Sequence, residues 1–214
     1  MSPSRPRKRR RRKKKSNKKL ILIVALLVAV AVIIGAYVML SNTGASSEDV
    51  PSSNKVLLTT SMGDILIELR DDMPITTGNF KKLVQQGVYD DTIFHRVVNL
   101  PNNLVMIQGG DPTGTGYGDS SIPSIQDEFS DNADNNKNVR GTIAMANKGE
   151  KYPNSGSSQF FINGAYNSHL DNNHPVFGEV IEGMDVVDDM LSVETNSTSH
   201  PLEDIILIKA RLID

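Results

Sequence analysis

The feature that most limits this chain is Leu20–Leu40, LILIVALLVAVAVIIGAYVML, 21 residues without a charge. As a helix it spans about 30 Å, the thickness of a bilayer's hydrocarbon core. A helix satisfies its own backbone hydrogen bonds, so lipid tolerates it. The run predicts one transmembrane helix over 20–40. Before it, Arg5 to Lys19 holds 12 basic residues and no acidic one. Positive charge beside a first apolar span stays in the cytoplasm. Residues 1–19 therefore read as a basic cytoplasmic head, and the chain beyond 40 as extracytoplasmic. A cleaved signal peptide would have a shorter apolar core, roughly 7–15 residues, and a small-residue cleavage site. Here the run is longer and Thr43-Gly44-Ala45 is a weak site, which favours an uncleaved anchor in the cell membrane. The head suits anionic lipid headgroups. Basic clusters also contact nucleic acid, but beside a membrane span no nucleic acid is expected.

Charge divides at the same place. The whole chain carries −2, yet the head is +12 and the remainder, with 11 basic and 25 acidic residues, is −14. There is no cysteine, which removes disulfide frameworks, thiolate metal sites, cysteine nucleophiles and cysteine lipidation. Residues 41–54, SNTGASSEDVPSSN, are Ser-rich with Gly and Pro and read as a flexible linker with a reach of about 20 Å. The domain is placed at 55–214, long enough for one core.

Within it, KVLLTT (55–60) and DILIEL (64–69) flank Ser-Met-Gly, a hairpin signal. Pro74 opens a helix whose Phe80, Leu83 and Val84 share a face, and Gly87 closes it. Strand-like runs follow at TIFHRVV (92–98), LVMIQ (104–108), GTIAMA (141–146), SQFFIN (158–163) and PVFGEVI (175–181). A short helix is expected over Met184–Leu191 and a last strand at IILIKARLI (205–213). Short strands, glycine-rich joints and two helices point to a mostly antiparallel barrel or sandwich.

Pattern alone offers little catalysis. No Gly-x-Ser-x-Gly or His-Glu-x-x-His occurs. The glycine-rich run Gln108–Gly118 ends in no Lys-Ser/Thr and precedes no helical pattern, so it reads as a turn-rich connection and not a phosphate cradle. His169, Asp171 and His174 lie in a turn-like segment, and two histidines five apart in a loop are weak evidence for a metal. Asn196-Ser-Thr is a glycosylation sequon that matters only in a glycosylating host.

Six segments are more specific when taken together. They are Phe94-His95-Arg96, Met106-Ile-Gln-Gly-Gly-Asp111, Asp127-Glu-Phe129, Gly141-Thr-Ile-Ala-Met-Ala-Asn147, Ser157-Ser-Gln-Phe-Phe-Ile162 and Leu170-Asp171 with His174-Pro-Val-Phe-Gly178. In this order and spacing the chain from about Lys55 onward resembles the cyclophilin family of peptidyl-prolyl isomerases. The resemblance implies a closed eight-stranded antiparallel β-barrel capped by two helices, here preceded by one transmembrane helix, with a substrate groove on the barrel's outer face. It implies proline-containing polypeptide clients and no metal or cofactor.

The same resemblance assigns roles. Arg96 matches the catalytic arginine, whose guanidinium would donate to the prolyl residue as its amide twists. Phe161 and Met106, with Leu170 beside them, match the proline pocket; an aromatic face and an adaptable thioether suit a flat apolar ring. Phe160, which points the other way, is assigned to the core. Gln108, Gln159 and Asn147 match positions that hold substrate backbone, and His174 matches the pocket edge. Thr115 and Gly116 match a loop beside the neighbouring residue pocket. Two positions depart from the family pattern. Val105 aligns where a phenylalanine often floors the pocket, after a lengthened stretch Asn99–Asn103. His169 stands where cyclosporin-sensitive members carry tryptophan, so weak cyclosporin binding is expected. The main reading is a membrane-anchored isomerase serving exported clients. The alternative keeps the barrel as a chaperone or binding module with little isomerase activity, supported by Val105 and the long 99–103 loop.

Overall fold

The computed structural model describes residues 53–101 and 103–214. The expected head and transmembrane helix, and nearly all of the linker, lie outside the described residues. Among the described residues, no helix is long and apolar enough to cross a membrane.

The first hairpin forms as its turn composition predicts. Strands β1 (Lys55–Thr60) and β2 (Gly63–Leu69) pair from Lys55↔Glu68 to Thr60↔Gly63. Helix α1 (Pro74–Gln85) begins with its proline in the first turn and buries Phe80, Leu83 and Val84, the face expected from spacing. Its N-terminus has no side-chain cap of its own. Glu128 reaches across instead, accepting from the Ile75 and Thr76 N–H groups at 3.1 and 2.8 Å. A carboxylate there satisfies two unpaired donors and complements the helix dipole.

The run TIFHRVV is not one strand. β3 (Thr92–Ile93) pairs with β9 (Ile206–Ile213), whereas β4 (Arg96–Leu100) pairs with β5 (Leu104–Gly109). Between them Phe94 and His95 are both buried, which a regular strand with one solvated face does not allow. β6 (Thr142–Met145), β7 (Phe160–Asn163) and β8 (Val176–Glu182) complete one antiparallel sheet in the order β3-β9-β1-β2-β8-β6-β7-β5-β4. Helix α2 (Met184–Leu191) buries Val187, Met190 and Leu191.

The two ends of this sheet, β3 and β4, are separated by two residues of chain, so the sheet must curl until its edges meet. They meet through the Ile93↔Asp111 bridge and through Val97 N–H donating to the Ser199 carbonyl at 2.8 Å. Two details of the expected barrel are thereby corrected. Among the described residues nine strands form, eight of at least four residues plus the two-residue β3. The wall is a curled sheet whose ends are joined by isolated contacts and not by a continuous closing ladder.

Inside the curl, Phe80 packs against Tyr89, Phe160 and Phe177 with ring centroids 5.1, 5.5 and 5.2 Å apart, tilted to Tyr89 and Phe177 and edge-on to Phe160, and Phe94 meets Phe160 edge-on at 6.1 Å. All five rings are buried. The Tyr89 hydroxyl donates to the Ser158 carbonyl at 3.0 Å, so its polar tip is satisfied.

Candidate active site

Strand register assembles the site. Arg96 on β4 lies opposite Gln108 on β5, Gln108 opposite Phe161 on β7, Phe161 opposite Ala144 on β6, and Ala144 opposite Val176 on β8. Directly paired residues share a sheet face. One row across five strands therefore carries Arg96, Gln108 and Phe161 on the outer surface. Two residues along, Val98 opposes Met106 on the same face. Val98, Met106, Ala144, Phe161 and Val176 form a buried cluster separate from the main core, with Leu104, Ala146 and Leu170 packed on it.

Above this cluster is a depression of about 150 Å³ lined by Arg96, Leu104, Met106, Gln108, Ala146, Asn147, Phe161, Leu170 and His174. Drug-sized pockets run from about 300 Å³ upward, so this one fits a single small side chain. At its edge the His174 ring meets Phe161 at 5.4 Å and 79°. His174 Nδ1 lies 3.2 Å from the Met145 carbonyl. A carbonyl oxygen only accepts, so Nδ1 carries the proton. Burial holds the imidazole pKa below its ordinary value against that hydrogen bond, keeping the ring neutral near pH 7.

Arg96 is exposed at the mouth, and among the described residues no carboxylate forms an ion pair with it. Its Nη1 donates to Gln108 Oε1 at 3.4 Å. Gln108 Nε2 donates to Gln159 Oε1 at 2.9 Å, and Gln159 Nε2 donates to the Gly116 carbonyl at 3.1 Å. This relay orients both amides in one sense and, among the described residues, engages only one nitrogen of the exposed guanidinium.

The relay's far end rests on Asp111, which is fully buried. One of its carboxylate oxygens accepts from Thr113 N–H and Thr113 Oγ1, both at 2.9 Å. The other accepts from Gly116 N–H at 2.7 Å and Gly118 N–H at 3.1 Å. Burial alone would raise the carboxyl pKa. The donors at Thr113, Gly118 and Gly116 outweigh it and hold the group below the usual carboxylate range. Gly110 makes the approach possible: at φ +79°, a Cβ there would stand 2.7 Å from the Ser158 carbonyl.

The expected site residues are distributed unevenly. Arg96, Met106, Gln108, Phe161, Leu170, His174 and Asn147 line the depression, while Gln159 and Gly116 line an adjoining cavity of about 130 Å³. Asn147 holds the loop with its side chain: Nδ2 donates to the Asn173 carbonyl at 2.7 Å and Oδ1 accepts from Gly149 N–H at 2.9 Å. Its amide is thus already engaged. Thr115 bonds to Thr113 and Asp111 and lines neither cavity. His169 is exposed on a short 3-10 turn, Ser168–Leu170, outside the lining.

Val105 is the main correction. It packs into the core beside Leu191 and Gly164, and Leu104 takes the groove position. Alternation requires this, because residues flanking Met106 must face the opposite side and Leu104 the same side. Asn167 fixes that register. Its Oδ1 accepts from Val105 N–H at 3.0 Å and its Nδ2 donates to the Val105 carbonyl at 2.9 Å, as a neighbouring strand would. Counting by two from Met106 would have found Leu104 in the sequence. The roles of Asp111 and Asn167 depend on loop geometry and leave no such signal.

A small apolar depression beside a held guanidinium fork, with amides arrayed next to it, suits a proline ring and its peptide bond. Comparison with known proteins agrees. Residues 55–212 match the family model described as cyclophilin type peptidyl-prolyl cis-trans isomerase/CLD. The chain is 41% identical over 165 residues to peptidyl-prolyl cis-trans isomerase-like 1 of Gibberella zeae, covering 76% of this chain and 96% of that one. It is 45% identical over 158 residues to peptidyl-prolyl cis-trans isomerase ppi1 of Schizosaccharomyces pombe, covering 72% and 96%. The fold matches a cyclophilin-type isomerase of Cryptosporidium parvum, crystallised in the presence of the dipeptide Ala-Pro, with a TM-score of 0.67 and 30% identity over 75% of this chain and 99% of that one. With a curled antiparallel sheet and two helices among its described residues, and matches that span nearly the whole length of these relatives, the chain belongs to the cyclophilin family of peptidyl-prolyl cis-trans isomerases.

Proposed function

We propose that this isomerase acts on X-Pro bonds of exported or membrane-proximal clients, with Arg96 stabilising the twisted amide. Rotation about a peptide bond faces a barrier of about 18–20 kcal/mol from amide resonance. No bond forms or breaks, so acceleration requires only tighter binding of the twisted state than of the planar one. The proline ring sits on Phe161 and Met106, bounded by Leu104, Leu170 and the neutral His174. As the imide nitrogen becomes pyramidal it gains a lone pair, and an Arg96 N–H donates to it. Gln108 holds the guanidinium, and Gln108, Gln159 and backbone near Asn147 hold the chain preceding or following the proline. The observation that carries this reading is the single cross-strand row placing Arg96, Gln108 and Phe161 on one face. The Ala-Pro dipeptide present with the Cryptosporidium relative supports a proline ligand.

For location, the support is in the sequence: an uncharged 21-residue run behind 12 basic residues. The domain then faces away from the cytoplasm, with the head on anionic headgroups.

A proline-peptide isomerisation assay on wild type and Arg96→Ala tests the mechanism. The expected loss in kcat/KM is on the order of 10²–10³-fold, as for removing one donor aimed at developing charge, with the unfolding midpoint unchanged because Arg96 is exposed. Two folded proteins that both match the uncatalysed rate would favour the binding-module alternative. Alkaline extraction of membranes, then protease added to intact cells, tests the anchor; a domain released into the soluble fraction overturns it.

A further inference from the structure

We propose that the β4–β5 hairpin extends the groove as an apolar subsite that favours an aliphatic residue flanking the substrate proline. This rests on the proposed function of the same site. The ladder Arg96↔Gln108, Val98↔Met106, Leu100↔Leu104 advances two residues at a time, so all six side chains stand on the groove's face. The first pair supplies the polar mouth and the second the apolar floor. Of the third pair, Leu104 already lines the depression. Leu100, directly opposite, is 53% exposed, an aliphatic side chain left in solvent beside a site that holds apolar ligands.

The opposite face of the hairpin explains why this pair is presented so firmly. Asn99 Nδ2 donates to the Leu191 carbonyl at 3.1 Å, Val105 is buried against α2, and Asn167 pairs with the Val105 backbone. The hairpin is thereby pinned to the domain on its inner side; on its outer side Leu100 lies one step along the ladder from the groove floor, bordering a separate small cavity with Val98 and Thr195. At the groove's other end lies the polar cavity of Gln108, Gln159 and Gly116. The two ends therefore differ in chemistry, and the occupant of the Leu100–Leu104 end is the substrate residue on the side of the proline away from Gln159.

The test uses the full-length chain and three capped peptides, Ala-Ala-Pro-Ala-Ala and two copies carrying leucine immediately before or immediately after the proline. Cis-trans exchange is followed by NMR. Wild type should turn over one of the leucine peptides roughly three- to tenfold better in kcat/KM than the alanine peptide, the gain from half-burying an aliphatic side chain. In Leu100→Ser that ratio should fall to about one. Equal rates for all three peptides in wild type, or an unchanged ratio in Leu100→Ser, would overturn the subsite while leaving the isomerase reading intact. Failure to accelerate any peptide would overturn both.

Discussion

Asp111→Asn offers a sharp test of how the site is held, because the structure fixes what the substitution removes. The carboxylate accepts four hydrogen bonds of 3.1 Å or less, three of them from backbone N–H groups that have no other role than to shape the loop 113–118. An amide has one accepting oxygen. In its better orientation that oxygen serves Gly116 and Gly118, the NH2 group faces Thr113 N–H, and the Thr113 hydroxyl turns to accept. One charge-assisted bond is lost, about 1.5–3 kcal/mol, and two others fall to neutral strength at about 1 kcal/mol each. The sum is about 3–5 kcal/mol. At about 2–4 °C per kcal/mol for a domain of this size, the unfolding midpoint should drop by roughly 10 °C. Since Gln159 donates to the Gly116 carbonyl, kcat/KM should fall as well, on the order of tenfold. The pH dependence gives an independent reading. The Asp111 pKa is depressed in the fold, so its contribution is complete above the ordinary carboxylate pKa near 3.9 and is lost as pH falls through the folded value. Calorimetry from pH 7 to 3 should show wild type losing stability on the acid side more steeply than Asp111→Asn. A variant within about 1 kcal/mol of wild type, with the same acid limb, would refute the assignment of these bonds.

Two further outcomes separate neighbours in sequence and in space. Leu104→Ala should raise KM for proline peptides roughly three- to tenfold with little change in unfolding. Val105→Ala should do the reverse, costing about 1–3 kcal/mol of stability with kcat/KM retained; denaturant titration beside the exchange assay distinguishes them. His169 is exposed beside Leu170 of the groove lining and supplies neither an indole donor nor its apolar surface, so calorimetric titration of the purified chain should show cyclosporin binding only weakly, and His169→Trp should tighten it by about tenfold or more. Nanomolar affinity in wild type would contradict the role given to that position.

What the sequence reveals and what it hides follow from the range of the interactions concerned. The hairpin at Ser61-Met62, the α1 face of Phe80, Leu83 and Val84, and α2 at Met184–Leu191 all appear where local pattern places them, because period and turn chemistry act within a few residues. The same locality separates Phe160, in the core, from Phe161, in the groove. TIFHRVV defeats local reading. Its apolar pattern is continuous, but its two halves pair with strands at opposite ends of the sheet, and only the requirement that the sheet curl onto itself forces the break at Phe94-His95. Val105 shows a subtler limit. Motif alignment assigns residues in consecutive order, whereas a pleated strand shares them between two faces; Val105, flanking Met106, faces the core, and Leu104, two before Met106, takes the groove position that alignment gave to Val105. The supports of the site are the least legible part. Glu128 capping α1 from 52 residues away, Asp111 gathering a glycine loop and Asn167 standing in for a strand beside Val105 are ordinary polar residues in sequence. Each is defined by the backbone donors that the finished fold leaves unpaired. In this domain the groove's lining can therefore be read from strand periodicity once one anchor such as Met106 is known. Its rigidity depends on side chain-to-backbone bonds that exist only after the sheet has closed on itself.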